Sequence, residues 1–166
     1  MEKIIGLLVT LFILIMEASS FAEIEIKYDR FKNKTVVQTD PKKTAGTVIQ
    51  PALVLIGSYD GQTPSRPAVC IIAFSLTSSS WAYLRCHSLN CLADGKPVEL
   101  PPSEHHGSTE RGYVIEHVAI TIPFSFIEQL SKCEKIEFKL CNTEFSLSRY
   151  EMQDLKTFVE AFLEKK

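Results

Sequence analysis

Glycine is scarce in this chain, with 7 residues in 166, and none falls in a GxGxxG or GxxxxGK[ST] pattern. Those patterns let backbone amides approach a phosphate closely, so their absence excludes the common nucleotide-binding loops. GxSxG, SxxK and the local cysteine-protease signatures are missing too, so any hydrolytic nucleophile would have to be assembled in space by the fold. Clustered positive charge is also lacking. Lys42-Lys43 is a short pair that reads as a solvated turn, and elsewhere both signs are interspersed, which argues against nucleic acid as a partner. There is no internal repeat, no low-complexity tract and no linker long enough to divide the chain.

Only one apolar run is long, Ile4 to Met16, and it falls short of the roughly 20 residues a membrane span takes. Lys3 precedes it, Glu17 closes it, and Ser20-Phe21-Ala22 places small residues where an export peptidase reads. The pattern predicts a cleavable signal peptide over residues 1–22, with a mature chain starting at Glu23 that has no stable membrane span. Of 18 basic and 20 acidic residues, Lys3, Glu2 and Glu17 lie in the leader, so 17 and 18 remain, a formal charge of −1. Residues 23–166 suit a single globular domain, which at this size buries roughly 68–70% of its unfolded surface.

The 5 cysteines are odd in number and none sits in a CxxC pair. Cys133 and Cys141 flank the alternating Ile136, Phe138 and Leu140. A strand there separates them by roughly 26 Å, too far for a disulfide, which needs Cα atoms within about 7 Å. Cys86 and Cys91 are close enough in sequence to close a short loop in an oxidising compartment. Cys70 lies within an apolar run and reads as a buried small hydrophobe.

Strand signals follow in succession over Ile24 to Tyr28, Thr35 to Gln38, Ala52 to Ile56, Ala68 to Leu76, Trp81 to Arg85, Tyr113 to Ile122, Lys135 to Leu140 and Glu144 to Leu147. Asp60-Gly61, Asp94-Gly95 and Cys141-Asn142 punctuate them, the last as a tight hairpin. Ser125 with Glu128, and Ser148 with Glu151, each have the spacing of a capping box. The first predicts a short helix to about Lys132. The second predicts a helix to Leu163 or beyond, with Met152, Leu155, Phe158, Val159, Phe162 and Leu163 on one face and Gln153, Asp154, Lys156 and Glu160 on the other. Strands first and a long helix last give an α+β fold, a mainly antiparallel sheet with the C-terminal amphipathic helix packed on one face.

Tyr28-Asp29-Arg30-Phe31-Lys32-Asn33-Lys34-Thr35 resembles the opening of uncharacterised exported bacterial proteins that carry a Tyr-Asp-x-Phe-Lys-x-x-Thr string near the mature N-terminus. The resemblance covers eight residues and implies no particular activity. Read from the residues alone, the string is a strand, a turn around Asp29 and a second strand, with Tyr28 and Phe31 packing inward.

Glu104-His105-His106 combines two imidazoles and a carboxylate, all competent ligands for a first-row metal, with His117 or Cys86-His87 available to add a third from elsewhere. In an extended segment His105 and His106 point to opposite sides, so they share one ion only if a loop curls; otherwise the stretch is solvated surface. Glu116 and His117 lie in a strand signal, and Glu116 shares the alternation of Val114, Val118 and Ile120. Alternation over Trp81 to Cys86 puts Trp81, Tyr83 and Arg85 on one side. That set is either an exposed binding face of interface-type composition or, for Trp81 and Tyr83, a surface under the C-terminal helix. No cofactor motif occurs. The expectation is an exported domain with a binding or structural role in the periplasm or outside the cell, toward an unknown protein or envelope ligand. The alternative is a hydrolase, metal-assisted or with a dispersed triad, built on the His105/His106 segment.

Overall fold

The structure, a computed structural model, describes residues 24–39 and 50–163. The signal-peptide segment and Lys42-Lys43 lie outside the described residues. Among the described residues the fold has two antiparallel sheets and two helices. The larger sheet has six strands in the spatial order β1 (Ile24–Asp29), β2 (Lys34–Thr39), β3 (Ala52–Asp60), β4 (Val69–Ser78), β8 (Tyr113–Pro123) and β7 (Glu104–Glu110). The smaller has four, ordered β10 (Thr143–Ser146), β9 (Ile136–Leu140), β5 (Leu89–Ala93) and β6 (Lys96–Val98). Helix α1 is Phe124–Leu130 and α2 is Arg149–Glu160. The class is therefore α+β, mainly antiparallel, with the C-terminal helix on the sheet as the sequence pattern implies, but the strands fall into two sheets and not one.

Alternation decides which face of the large sheet is inward. Leu53 and Leu55 on β3, Ile72 and Phe74 on β4, and Val118 and Ile120 on β8 lie opposite one another in register and are almost wholly buried. Helix α2 covers β1 to β3 and touches α1, while the small sheet meets β4 through Phe74, whose ring packs edge-on against Phe138 at 4.8 Å and Phe145 at 5.2 Å. The capping box at Ser148 is present: its Oγ accepts from the Glu151 amide at 3.3 Å, and the Glu151 carboxylate accepts from the Ser148 amide at 2.8 Å. Met152, Leu155, Phe158 and Val159 are buried as their spacing predicts. The helix ends earlier than that spacing suggests, at Glu160, and Phe162 reaches the core from the following turn, 5.1 Å from the Phe158 ring.

Several expectations are corrected. Asp154 is buried with the apolar stripe and not exposed on the opposite face. Ser125 is not a cap: α1 starts after Pro123, whose fixed backbone opens the helix without a side-chain hydrogen bond. Tyr28 and Phe31 do not pack inward, since Tyr28 is exposed and Phe31 is 86% exposed at the β1–β2 turn. Asp29 builds that turn by accepting from the Phe31 and Lys32 amides, and the Tyr28 hydroxyl donates to Asn33 at 2.9 Å. Trp81 to Arg85 is not a strand, whereas β5, β6 and β7 are strands that hydrophobic alternation did not reveal.

The disulfide is also different. Cys86 bonds Cys141, with Cα atoms 6.0 Å apart, and Cys91 is a free, buried thiol. The cause is the pairing of β5 with β9: Leu89 stands opposite Leu140, so the residues just before β5 meet those just after β9. Cys91 lies within β5 facing the core, where burial first and the neighbouring Cys133 second push its thiol up to about 11. Cys70 is buried as expected, and burial pushes its thiol up to about 12. Both thiols are inert at neutral pH. A bond like Cys86–Cys141 persists in an oxidising compartment. Among the described residues, no helix is long and apolar enough to cross a membrane.

Candidate functional site

The 4 histidines of the chain divide two and two across the large sheet. Strands β7 and β8 join through Arg111-Gly112, both at positive φ, and that two-residue turn sets a register in which His105 faces Val118 and His106 faces His117. Since successive residues alternate faces, His105 turns inward and His106 turns outward with His117 and Glu104.

On the inner side the organising group is Glu116, fully buried in β8. Its Oε2 accepts from the Ala82 amide at 2.7 Å, its Oε1 accepts from the Tyr83 amide at 2.9 Å, and His105 Nε2 lies 3.0 Å from Oε1. Burial pushes the Glu116 carboxyl up, but the two amides and His105 together pull it further down, so it is held below the usual carboxylate range. An ionised carboxylate only accepts, so Nε2 of His105 carries the proton and donates.

Residues 81–85 are not a strand, and two of their amides, those of Ala82 and Tyr83, are bound by the Glu116 side chain in place of a neighbouring strand. Tyr83 is buried, Trp81 is 40% exposed, and Arg85 is exposed. Tyr83 therefore does not stand outside with Trp81 and Arg85. Trp81 lies instead over Gly107 of β7, where a Cβ would overlap the indole, with its ring 6.1 Å from that of His105. His87 stacks on the other imidazole, 6.0 Å between centroids, and its carbonyl accepts from the Ser103 hydroxyl. The buried Nδ1 of His87 has no hydrogen-bond partner.

A carboxylate orienting an imidazole is also the arrangement that positions a catalytic base. Here the pair is turned into the protein: the Glu116 side chain is 0% exposed and that of His105 10%. Three donors already occupy the carboxylate, and the visible result is the anchoring of residues 81–83 onto the sheet.

The outer face is different in kind. A groove of about 610 Å³ runs across it, floored by Val54, Ile56, Ile71, Ala73 and Ala119. Gln38 and Thr39 border it on the β2 side, and Glu104, His106 and His117 on the β7–β8 side, with Pro101 and Pro102 alongside. His106 Nε2 lies 3.5 Å from Glu104 Oε2. Thus Glu104, His105 and His106 do not gather around one point, because the segment is a strand and not a curled loop. Among the described residues, no three His, Cys, Asp or Glu side chains stand as a ready-made metal cluster. A smaller hollow of about 340 Å³ lies on the small sheet, where Lys139 and Glu144 are already paired with each other at 2.8 Å.

Sequence reasoning isolated Glu116 as a carboxylate on an apolar face but missed its partners, which come from a segment more than thirty residues earlier and from another strand. The facing of His106 and His117 did leave a signal: they are equidistant from Arg111-Gly112, so a two-residue hairpin there pairs them. No family model, no curated protein and no solved structure matches the chain.

Proposed function

We propose that the mature chain is an exported, non-catalytic binding domain of the periplasm or extracellular space, and that its ligand is a small amphiphile held in the groove on the outer sheet face. The groove carries this reading. Its volume lies within the roughly 300–1,000 Å³ typical of small-molecule sites, and an apolar floor with a few polar groups at the margins is their usual composition. Val54, Ile56 and Ile71 are held on a rigid antiparallel scaffold, so little ordering accompanies binding. The hydrolase alternative is weaker because Glu116 and His105 are committed to the interior.

Export is supported by the leader pattern of residues 1–22, by the Cys86–Cys141 bond and by the resemblance of the Tyr28–Thr35 string to exported bacterial proteins. Two experiments test the reading. N-terminal sequencing of protein from the native host should find Glu23 first, and a product still starting at Met1 would end the export proposal. A fluorescent fatty-acid probe should bind saturably and lose affinity at least about tenfold in Ile71→Lys, which puts a charge on the groove floor. Equal binding by parent and variant, or no binding, would remove the groove as the ligand site.

A further inference from the structure

The tip of the β1–β2 hairpin carries a chemistry that neither sheet face shares. Arg30, Phe31, Lys32 and Asn33 form its turn and Lys34 opens β2, so three basic side chains and an aromatic ring, all exposed, crowd one end of the hairpin. Phe31 is the most exposed of the large hydrophobic side chains described, at 86%, and Ile26 and Tyr28 continue the exposed apolar edge along β1. Among the described residues Arg30, Lys32 and Lys34 take part in no ion pair. Their charge stands uncompensated in a chain whose formal charge is −2. We propose that this tip docks the protein on the surface of an anionic phospholipid bilayer, with Phe31 entering the headgroup boundary and Arg30, Lys32 and Lys34 meeting the phosphates.

The turn is held in the shape that presents the ring. Asp29 accepts from the Phe31 and Lys32 amides at 2.9 and 3.2 Å, which bends the chain and turns its carboxylate toward the backbone and away from the cations. Asp60 stands opposite Lys34 in register but forms no ion pair with it. The Tyr28 hydroxyl donates to the Asn33 side chain, and the Gly61 amide donates to the Asn33 carbonyl at 2.8 Å, so little ordering is lost on docking. The Arg30 guanidinium lies 4.8 Å from the centroid of the Phe31 ring, which keeps a cation beside the aromatic group as it enters the interface. Size selects the partner. A stable protein interface takes about 800 Å² from each side, more than a single turn supplies, whereas a lipid surface needs no matching shape. Single-stranded nucleic acid needs a groove that tracks its backbone, and a hairpin tip has none. An aromatic ring among basic side chains is the composition of a membrane-interface contact, and it needs no spanning segment. The groove meets β2 at Gln38 and Thr39, the far end of that strand from Lys34, so the two surfaces are independent.

The test sediments the mature chain with vesicles of phosphatidylglycerol and phosphatidylcholine in equal parts, and with vesicles of phosphatidylcholine alone, at low and high salt. Half-maximal binding to the mixed vesicles is expected at about 1–10 mM lipid, since each basic side chain near an anionic surface adds about fivefold and the ring supplies the rest. High salt, phosphatidylcholine alone and the triple variant Arg30→Gln/Lys32→Gln/Lys34→Gln should each weaken binding by about tenfold or more, and Phe31→Ser by about tenfold. These substitutions fall at exposed positions and leave the core untouched. Phe31→Trp should gain emission that shifts to the blue on the mixed vesicles and is quenched by brominated acyl chains, whereas the parent, with Trp81 alone, should not respond. No binding at about 10 mM lipid, equal binding to phosphatidylcholine alone, or a Phe31→Ser or triple variant that binds as the parent does overturns the docking surface. So does tighter binding to single-stranded poly(dT) than to the vesicles. Ile71→Lys should bind vesicles as the parent does; loss there, with binding retained in Phe31→Ser, would move the lipid contact to the groove.

Discussion

The imidazole of His105 donates to the buried carboxylate of Glu116 across 3.0 Å, a diagonal contact between adjacent strands that ties the β7 edge to the interior of the sheet. The same carboxylate binds the Ala82 and Tyr83 amides, so one side chain satisfies three donors from two separate parts of the chain. Removing it takes the acceptor from all three, and the Tyr83 amide bond is fully buried. Glu116→Ala should therefore destabilise the protein by about 3–5 kcal/mol, the usual cost of breaking a buried, hydrogen-bonded charged group. Glu116→Gln, which keeps one oxygen acceptor, should lose less. Urea midpoints measure both, and a loss under about 1 kcal/mol for Glu116→Ala would mean that residues 81–83 are held by something else.

Trp81 is the only tryptophan in the sequence, and it rests on Gly107 where no Cβ fits. Gly107→Val should lift the indole off β7 into water, with a red shift of its emission and easier quenching by acrylamide. An unchanged spectrum would show that the ring does not lie on that strand.

The Cys86–Cys141 bond spans 55 residues. Chain entropy alone gives such a cross-link about 4 kcal/mol of stabilisation, so a Cys86→Ser/Cys141→Ser double variant should unfold at markedly lower denaturant. Denatured, non-reduced protein should show reactive thiols only at Cys70, Cys91 and Cys133. Recovery of a Cys86 to Cys91 cross-linked peptide would refute the observed pairing.

Phe158 is fully buried and packs edge-on against Phe162. Phe158→Ala should lower stability by about 3–5 kcal/mol. A change below about 0.5 kcal/mol would detach α2 from the sheet.

Asp94 caps the turn before β9, accepting from the Lys135 and Glu134 amides at 2.9 Å each. The Lys135 amide foremost, and then the Glu134 amide, hold its carboxyl below its ordinary value against a smaller opposing effect of burial. A depressed folded value means that the contribution is complete above the unfolded value near about 4 and fades as pH falls through the folded one. The stability gap between parent and Asp94→Ala should thus be constant from pH 7 to about 5 and close progressively in stronger acid. A gap that persists at pH 2 would show that the carboxylate's charge is not what matters.

Hydrophobic alternation and capping chemistry were enough to place most of the elements. The alternations within Ala52 to Ile56 and Tyr113 to Ile122 reflect one wet and one dry face, and Ser148 with Glu151 marks a helix start through bonds made within four residues. Such signals survive in the sequence because their cause is local. Strand β7 escaped because Glu104-His105-His106-Gly107-Ser108-Thr109-Glu110 has no apolar alternation: it is an edge strand whose inward positions hold a histidine paired to a distant carboxylate and a glycine under an indole. Strand β6 escaped because it is three residues long and contains Pro97.

The sequence by itself determined an α+β chain, a C-terminal helix docked by its apolar stripe, the burial of Cys70 and the impossibility of a Cys133–Cys141 bond, since each follows from spacing along one element. Tertiary structure alone decided that Cys86 meets Cys141, that Glu116 gathers Ala82, Tyr83 and His105, and that the histidines part into an inward and an outward pair. These outcomes depend on which strands become neighbours and in what register. Shifting the β7–β8 pairing by a single residue would send every β7 side chain to the other face, so the chemistry of the two histidine pairs is a property of the hairpin and the sheet together.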